Sequence, residues 1–572
     1  MKQPQLERQG SLPIPGSGRT KGPTETSTEN HYNDWPNAAS FNHLSETRQP
    51  VSLQIDGYFP DWVAGSLLRT GPGGYKVPRS DPKDGDFKID HWFDGFTILH
   101  KFDLVAGDNG KCQEIKYSSR YQVDELIESA RKTGKLNDIC FGQKRDPCDS
   151  LYKKVKTIFA PADASSGGKN TANIGVAFQE TLPAERNQVT EQSGGNAQRR
   201  MMSLTTDNSD TKAFDMETLE PLGVASQKHL HAKLVGQLSG AHPETDPETG
   251  DVYNYNLELG PKAIYRVFRA NAHTGHVDIL AEISGRDIKG AYIHSISMTD
   301  NFIILCIWPA FYKAKGLGIL WEKNIIDAIA PWEKNAKATW LVVDRKGKRG
   351  LVKKFTSPAF FCFHTTNAFE VPSQEKDGEV DVTVELVDFP DTDIIHKFYY
   401  ENLLSNAKNA KKWSEPGRFD LGLTRFKLTG IPMTGKSTTT AEAHRIMRIA
   451  SPNAGDMPRF NPNYTCRPHR FVWSLLDRGH STLWDAIGKT DVDTKSCITW
   501  QCEKHTPSEP VFVPRPGGED EDDGVVLSVV FNGLTGSSYL ICLDARSLEE
   551  IGRAEVGRPV CLGFHGTHVK ND

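Results

Sequence analysis

Short apolar strands, each followed by a tight polar turn, recur along most of this chain. Each repeat places an apolar strand end before an Asp or Asn, and then a run of small or polar residues. Four examples lie at residues 214–219, 268–275, 343–348 and 543–548. Hairpins that recur along a long chain are typical of propeller blades, so we expect an all-β fold of that kind. A large, irregular β-sandwich is the alternative that the pattern leaves open.

Three segments interrupt the β pattern and are predicted to be helical. They cover residues 123–132, 319–329 and 396–404. Residues 1–45 are rich in Gly, Pro, Ser, Thr, Asn and Gln, a composition that cannot bury enough apolar surface to fold alone. We therefore predict a disordered N-terminal arm over residues 1–45, and a single folded domain with inserted cap segments over residues 46–572.

The composition argues against several classes of function. A formal net charge of -5 and a pI of about 6.4 give no sign of a nucleic-acid partner. No apolar run is long enough to span a bilayer, and the first residues lack the apolar core of a signal peptide. The ten cysteines form no Cys-x-x-Cys pair. We therefore expect reduced thiols in a cytoplasmic protein that is not secreted.

Four of the 18 histidines lie among apolar or small residues, as ligands in a tight cavity would. His364 lies in the aromatic, strand-like run 360–370, and His294 lies in a segment that alternates like a half-buried strand. His242 precedes the turn at residues 246–250, and His565 follows a Gly-Phe pair. Imidazole binds iron, copper, zinc and nickel, so the four are candidates for one metal site. The alternative is that they are hydrogen-bonded core residues.

An all-histidine site needs carboxylates behind the rings, because a hydrogen bond to the far ring nitrogen orients each ligand. Three acidic residues are candidates for this outer layer: Asp207, Asp456 and Glu509. Taken singly, each is better explained as a surface acid or a turn residue.

Several motifs, taken in order, resemble those of the carotenoid cleavage oxygenase family from about residue 57 to residue 565. They are the glycine-rich strand at 65–73, His-Trp-Phe-Asp-Gly at 91–95, Ala-His-Pro at 241–243, Phe-His-Thr-Thr-Asn-Ala at 363–368, Ser-Glu-Pro at 508–510, the acidic and apolar run at 521–528, and Phe-His-Gly at 564–566. Each motif is weak alone, but the ordered set is highly specific.

The resemblance implies a seven-bladed β-propeller with a helical or loop cap over a metal site on its axis. Fe(II) would be held there by His242, His294, His364 and His565, which also makes them the catalytic set. The family's outer layer consists of three glutamates, which Glu509 matches, whereas Asp207 and Asp456 are one methylene shorter. Either the backbone moves inward at these two positions, or a water bridges the gap, or the alignment slips. Thr206 is expected near an open iron position.

The resemblance also implies the chemistry, in which dioxygen cleaves a conjugated double bond into two carbonyl products. Within the family, the segments 118–123, 142–150 and 169–173 are most similar to the fungal branch that cleaves torulene. A stilbene-cleaving relative of the resveratrol type and a retinal-forming carotenoid oxygenase are the alternatives. A propeller that binds partners without catalysis, and an isomerase on the same iron fold, are alternatives of other classes.

A long polyene substrate is dissolved in membrane lipid, so we expect an apolar part of the cap to contact a lipid surface. The candidate cluster has basic neighbours at Lys313, Lys315 and Lys323, and consists of Phe311, Leu317, Ile319, Leu320, Trp321, Ile325, Ile326 and Ile329. The expected location is the cytoplasm, peripherally associated with membrane or lipid bodies. An ordinary helix packed on the propeller would have a similar composition.

Overall fold

Seven sheets of four to six strands and one two-stranded hairpin form the β structure of the described residues. The computed structural model describes residues 30–42, 45–136, 139–144, 168–193 and 199–570. Residues His31–Asp572 belong to one compact unit. The segment Met1–Asn30 is a separate unit, of which only Asn30 is described. The predicted disorder of residues 1–29 therefore lies outside the described part of the chain.

The seven sheets are the blades of a propeller, and the strands of each blade follow one another from the axis outward. Blade 1 contains Gly566–Val569, Gly65–Pro72, Thr97–Ala106, Cys112–Tyr121 and Thr47–Ser52. Blade 2 contains Ala177–Glu180, Met201–Thr205, Asp210–Asp215 and Pro221–Ser226. Blade 3 contains Leu238–Ser239, Val252–Glu258, Ile264–Ala270 and Val277–Ile283, with Glu244–Thr245 also paired to its second strand. Blade 4 contains Ser297–Met298, Phe302–Ile307, Lys337–Asp344, Leu351–Pro358 and Thr440–Glu442.

The remaining blades follow the same plan. Blade 5 contains Phe361–Pro372, Glu379–Phe389, Gly422–Pro432 and His444–Ala450. Blade 6 contains Asp456–Arg459, Phe471–Leu476, Ala486–Asp491 and Ser496–Trp500. Blade 7 contains His505–Pro507, Gly524–Asn532, Ser537–Asp544, Glu550–Glu555 and Gln54–Gly57, with Val511–Pro514 also paired to its second strand. The separate hairpin consists of Lys76–Pro78 and Asp86–Lys88.

The ring is closed by strands from opposite ends of the sequence. Gly566–Val569 pairs with Gly65–Pro72 in blade 1, and Gln54–Gly57 pairs with Glu550–Glu555 in blade 7. Strands in the middle of a blade are packed on both faces, so they read as nearly continuous apolar runs. Gly524–Asn532, for example, is buried at every residue before Asn532. The predicted seven-bladed propeller is confirmed, and the β-sandwich alternative is wrong.

The acidic or amide residue at each predicted turn caps the turn with its side chain. Asp215 Oδ1 accepts hydrogen bonds from the backbone N–H groups of Glu217 and Thr218, both at 2.9 Å. Asp544 Oδ1 does the same for Arg546 and Ser547, also at 2.9 Å. These Asx turns satisfy backbone donors that the strands leave unpaired, which explains why the pattern repeats.

The helices are short and lie between blades or in the cap. In chain order, the helices of the described residues are Asp124–Thr133, Pro183–Ser193, Gln227–Leu230, Leu317–Glu322, Ile325–Ala328, Asp393–Lys397, Tyr400–Leu403 and Ala410–Trp413. Short 3-10 turns occur at Tyr32–Asp34, Ala38–Phe41, Asp61–Val63, Pro82–Asp84, Trp92–Asp94, Lys313–Gly316 and Pro462–Tyr464. Among the described residues, no helix has the length and apolar character needed to cross a membrane.

The predicted helix at 123–132 is confirmed within one residue, but the other two are interrupted. The segment 319–329 breaks where Lys323 adopts a φ of 52° and Asn324 caps a new helix by accepting a bond from the Asp327 N–H at 3.0 Å. Residues 396–404 are also divided, into Asp393–Lys397 and Tyr400–Leu403, where Tyr399 adopts an extended backbone with a ψ of 133°. Local backbone breaks therefore end each helix earlier than the apolar spacing predicts.

The folded unit begins before the predicted boundary at residue 46. Tyr32 donates its backbone N–H to Ser405 O at 2.7 Å, and the Asn37 side chain donates to Thr482 Oγ1 at 2.9 Å. Asn37 and Ser40 are fully buried. The prediction that the disordered arm extends to residue 45 is therefore wrong for residues 31–42. Their polar side chains, which suggested disorder, are satisfied by distant parts of the fold.

Candidate metal centre

The four predicted histidines project from four different blades onto the propeller axis. His364 lies on the inner strand of blade 5, and His565 directly precedes the inner strand of blade 1. His294 precedes the inner strand of blade 4. His242 lies between the two short inner strands of blade 3, and its backbone N–H donates to His294 O at 3.2 Å. The ring of blades thus brings together residues that are far apart in sequence.

One ring nitrogen from each of these histidines lies within 4.8 Å of the others. This spread is close to twice a metal–nitrogen bond of about 2.1 Å, so one ion fits between them. The Nε2 atoms of His242 and His364 are buried and have no hydrogen-bond partner among the described residues. A buried ring nitrogen left unpaired costs about 1–3 kcal/mol. The cluster therefore fits a metal ion, and its four neutral donors suit iron, copper, zinc or nickel.

Three of the four rings are fixed from behind by the predicted carboxylates. His294 Nδ1 donates to Asp207 Oδ1, and His364 Nδ1 donates to Asp456 Oδ1, both at 2.7 Å. His565 Nδ1 donates to Glu509 Oε1, also at 2.7 Å. A proton held at Nδ1 leaves the Nε2 lone pair free to face the centre. The shorter side chains of Asp207 and Asp456 thus reach their rings directly.

The surroundings of the centre favour neutral imidazoles. Burial, with a smaller effect from the neighbouring rings, holds the pKa of His242 well below its ordinary value. Burial also lowers the pKa of His565 to about 4, although Glu509 opposes that shift. A neutral ring is the form that binds a metal, so these two histidines are available as ligands at neutral pH.

The three carboxylates are stabilised in different ways. Asp207 Oδ2 accepts a bond from the Tyr292 hydroxyl at 3.0 Å. Burial raises the pKa of Asp456, but His364 and the Met457 N–H more than offset that effect, so the pKa lies below its ordinary value. Burial likewise raises the pKa of Glu509, and Arg459 is the main group that reverses the shift. The Arg459 guanidinium donates to Glu509 Oε1 at 2.9 Å and to Oε2 at 3.1 Å.

An aromatic wall lies next to the histidines and is formed by Phe93, Phe363, Phe398 and Phe564. The Phe363 ring lies 5.8 Å from the ring of His294 and 5.9 Å from that of Phe93. Phe93 packs in turn against Phe398 and Phe564, with ring centroids 5.3 and 5.4 Å apart. Phe93 is only half-buried, although it lies inside this cluster. Such a surface suits a flat, apolar, conjugated molecule.

Thr206 is half-buried between the end of the strand Met201–Thr205 and Asp207. It lines a small cleft between blades 2 and 3 together with Asn208, Gly240 and Asn254. Its predicted place beside an open iron position stays a prediction.

Two residues of the centre, Tyr292 and Arg459, were not predicted from the sequence. Tyr292 lies two positions before His294, so in an extended segment both side chains point to one face. That spacing could have revealed it. Arg459 lies three residues after Asp456, and no local pattern marks it, because its partner Glu509 lies 50 residues further along the chain.

Comparisons with known proteins match nearly the whole chain. The family model described as RPE65, retinal pigment epithelial membrane protein, matches residues 40–570. A carotenoid dioxygenase of Neurospora crassa is 41% identical, covering 94% of this chain and 92% of its own. A torulene dioxygenase of Fusarium fujikuroi is 40% identical, covering 94% of each chain. The chain thus spans nearly the full length of both relatives.

Solved structures match the fold over almost the whole chain. A variant of the Synechocystis apocarotenoid oxygenase superposes with a TM-score of 0.69, covering 95% of this chain and 100% of its own at 19% identity. At that identity the likeness shows the fold alone. The family model shows more, because residues 40–570 include all four histidines, and the two fungal relatives are about 40% identical over 94% of the chain. The chain belongs to the RPE65/carotenoid oxygenase family.

Proposed function

We propose that this protein is a non-haem Fe(II) dioxygenase that cleaves a conjugated C=C bond of a carotenoid into aldehyde products. The observation that carries the proposal is the convergence of four imidazoles, three buried and one half-buried, beside an aromatic wall; two of them have buried, unpaired Nε2 atoms. His242, His294, His364 and His565 would hold the iron. Bound Fe(II) would supply the activation of dioxygen, and one O2 and one double bond would yield two carbonyl groups.

The chain itself contributes orientation and the exclusion of water. Asp207, Asp456 and Glu509 hold a proton at Nδ1 of their histidines, which keeps each lone pair aimed at the centre. The wall around Phe93 and Phe363 would hold the polyene flat and keep the reacting bond beside the histidines. Each function needs rigid side chains, and the buried, packed inner strands provide that rigidity.

Torulene is the substrate we propose. The support is that a torulene dioxygenase is 40% identical over 94% of the chain. A stilbene or another carotenoid would use the same iron chemistry, so the substrate is a separate question from the reaction.

We also propose peripheral contact with a membrane or a lipid body, in the cytoplasm. Leu317 and Ile139 are 59% and 45% exposed, and the backbone N–H of Cys140 donates to Lys323 O at 3.1 Å, which joins their two segments. Lys313 and Lys315 are exposed in the same region. Three members of the predicted apolar cluster, Ile319, Ile326 and Ile329, are instead buried in the core. The side chains of Leu320 and Trp321 lie outside the described part.

The test is anaerobic purification with metal quantification, followed by oxygen and torulene, β-carotene or resveratrol in parallel. Near-stoichiometric iron and an aldehyde from torulene would support the whole proposal. Product from resveratrol or β-carotene alone would keep the chemistry and contradict the substrate. A folded protein with no iron and no product would contradict the enzyme and favour a binding propeller. An isomerised polyene without cleavage would contradict the reaction.

A further inference from the structure

The strand that closes the propeller ring directly follows one of the four histidines. Gly566–Val569 completes blade 1 by pairing with residues 66–69. His565 directly precedes this strand, and its carbonyl accepts a bond from the Thr70 N–H at 2.9 Å. These two paired strands form a seam at which the ring is closed without a covalent link. Any loosening of this seam would therefore move His565 away from the centre.

Gly566 is held at both of its backbone polar groups. Its N–H donates to Glu509 Oε2 at 2.7 Å, and its carbonyl accepts from Arg459 Nη2 at 2.9 Å. A Cβ at this position would lie 2.7 Å from Cδ of Arg69 and 3.0 Å from Leu68 O, so only glycine fits without a shift. The seam and the His565 ring are thus fixed by the same carboxylate.

Arg459 links three blades at this point. It belongs to the inner strand of blade 6. Its guanidinium binds both oxygens of Glu509, in the inner segment of blade 7, and also the Gly566 carbonyl of blade 1. Arg69 adds a second cation, with Nη1 3.0 Å from Glu509 O and 3.5 Å from Oε2. A planar guanidinium can make these directed contacts together, whereas a lysine ammonium is a point charge.

The other two carboxylates of the centre are held by residues outside the seam. Asp207 is bound by Tyr292, and Asp456 is bound by the N–H of Met457, the next residue. Their rings belong to blades 4 and 5, which are continuous in sequence. The His565 side of the centre is the one that must be assembled across the non-covalent seam.

We propose that Arg459 is a positioning residue that links closure of the propeller ring to loading of the metal centre. The inference rests on the metal site proposed above. Without the bidentate contact, Glu509 can rotate, the Gly566 carbonyl loses a donor, and His565 is presented in several orientations. By linkage, a metal that binds the aligned His565 must in turn stabilise the seam.

The test uses apo-protein and Co²⁺ as the probe, with absorption in the visible range and hydrogen exchange as readouts. The variant is Arg459→Lys, which keeps the charge at a side chain that is 38% exposed. The matched control is Arg470→Lys, because Arg470 makes a similar bidentate pair with Asp491, at 3.1 and 2.7 Å, at one end of the two middle strands of blade 6. The melting temperature of each apo-protein separates folding from positioning.

In the wild type, we expect Co²⁺ to slow exchange of residues 566–569 but not of residues 97–106 in the same blade. In Arg459→Lys, we expect Co²⁺ affinity to fall about 10- to 100-fold, the Co²⁺ spectrum to change, and the added protection of 566–569 to disappear. The apo-protein should melt within a few degrees of the wild type. Arg470→Lys should bind Co²⁺ as the wild type does.

The proposal is overturned if Arg459→Lys keeps the Co²⁺ affinity, the Co²⁺ spectrum and the metal-induced protection of residues 566–569 that the wild type shows. If Arg459→Lys does not fold, the experiment on the wild type still tests the proposal. Co²⁺ binding to the wild type without added protection of residues 566–569 would also overturn the proposal. A wild type that binds no Co²⁺ and no iron would instead contradict the metal site itself. The two failures are therefore distinguishable.

Discussion

The most informative single substitution is Asp456→Glu, which restores the glutamate that the family resemblance implies. In this structure Asp456 Oδ1 is already 2.7 Å from His364 Nδ1 and accepts a second bond from the Met457 N–H at 2.8 Å. The backbone cannot retreat, because a Cβ on Gly455 would lie only 2.0 Å from Leu475 O. The inner strand of blade 6 is therefore already pressed against its neighbour at this point.

The longer side chain adds one C–C bond, about 1.5 Å, to a buried group that has no free space in front of it. Either the carboxylate pushes the His364 ring toward the axis, or it turns aside and loses the bond. Inserting a methylene into a packed interior costs about 1–3 kcal/mol. Loss of an orienting hydrogen bond lowers metal affinity about 10- to 100-fold. We therefore expect Asp456→Glu to have a lower unfolding free energy and a lower metal affinity than the wild type.

The assay measures iron or Co²⁺ affinity by titration of the apo-protein, and stability by urea unfolding. Asp456→Asn is the matched control, since it keeps the volume and removes the charge. If Asp456→Glu bound metal as tightly as the wild type, with unchanged unfolding free energy, the close approach of the backbone would not determine the choice of Asp. The departure from the family pattern would then need another explanation.

Three further predictions concern the metal centre and one buried ion pair outside it. His364→Ala should abolish cleavage and lower the amount of bound iron, and full turnover by this variant would contradict the four-histidine site. The control is His469→Ala, which removes a buried histidine paired with Glu385 at 2.9 Å outside the centre. This control should leave the metal content per folded molecule unchanged. Asp207→Asn should reduce activity about 10- to 100-fold, and an unchanged rate would remove Asp207 from the centre. Glu385→Gln should lower the unfolding free energy at pH 7 by about 3–5 kcal/mol, because it breaks a buried ion pair with Arg425. Burial raises the pKa of Glu385, but His469 and Arg425 reverse that shift and hold it below its ordinary value. The wild-type advantage should therefore be complete above about pH 4.3 and disappear as the pH falls through the folded pKa; an advantage that persists at lower pH would refute this.

Local sequence was sufficient for the repeating strand and turn unit, because each Asx turn is satisfied by residues two or three positions away. It was less reliable for the cap, where a single residue such as Lys323 ended a helix that the apolar spacing extended. It also placed residues 31–42 in a disordered arm. Their partners, such as Ser405 and Thr482, lie more than 360 residues away, so composition alone could not reveal them.

By itself, the sequence determined the all-β repeat and, with the family motifs, the four histidines and the three acids behind them. Only the tertiary structure decided which acid faces which ring. His294 and Asp207 are 87 residues apart, His364 and Asp456 are 92 apart, and His565 and Glu509 are 56 apart. Only the tertiary structure also revealed Arg459 and its contact with Gly566. Hydrogen bonds across blades depend on how the ring closes, and ring closure is a property of the packed sheets, not of any short segment.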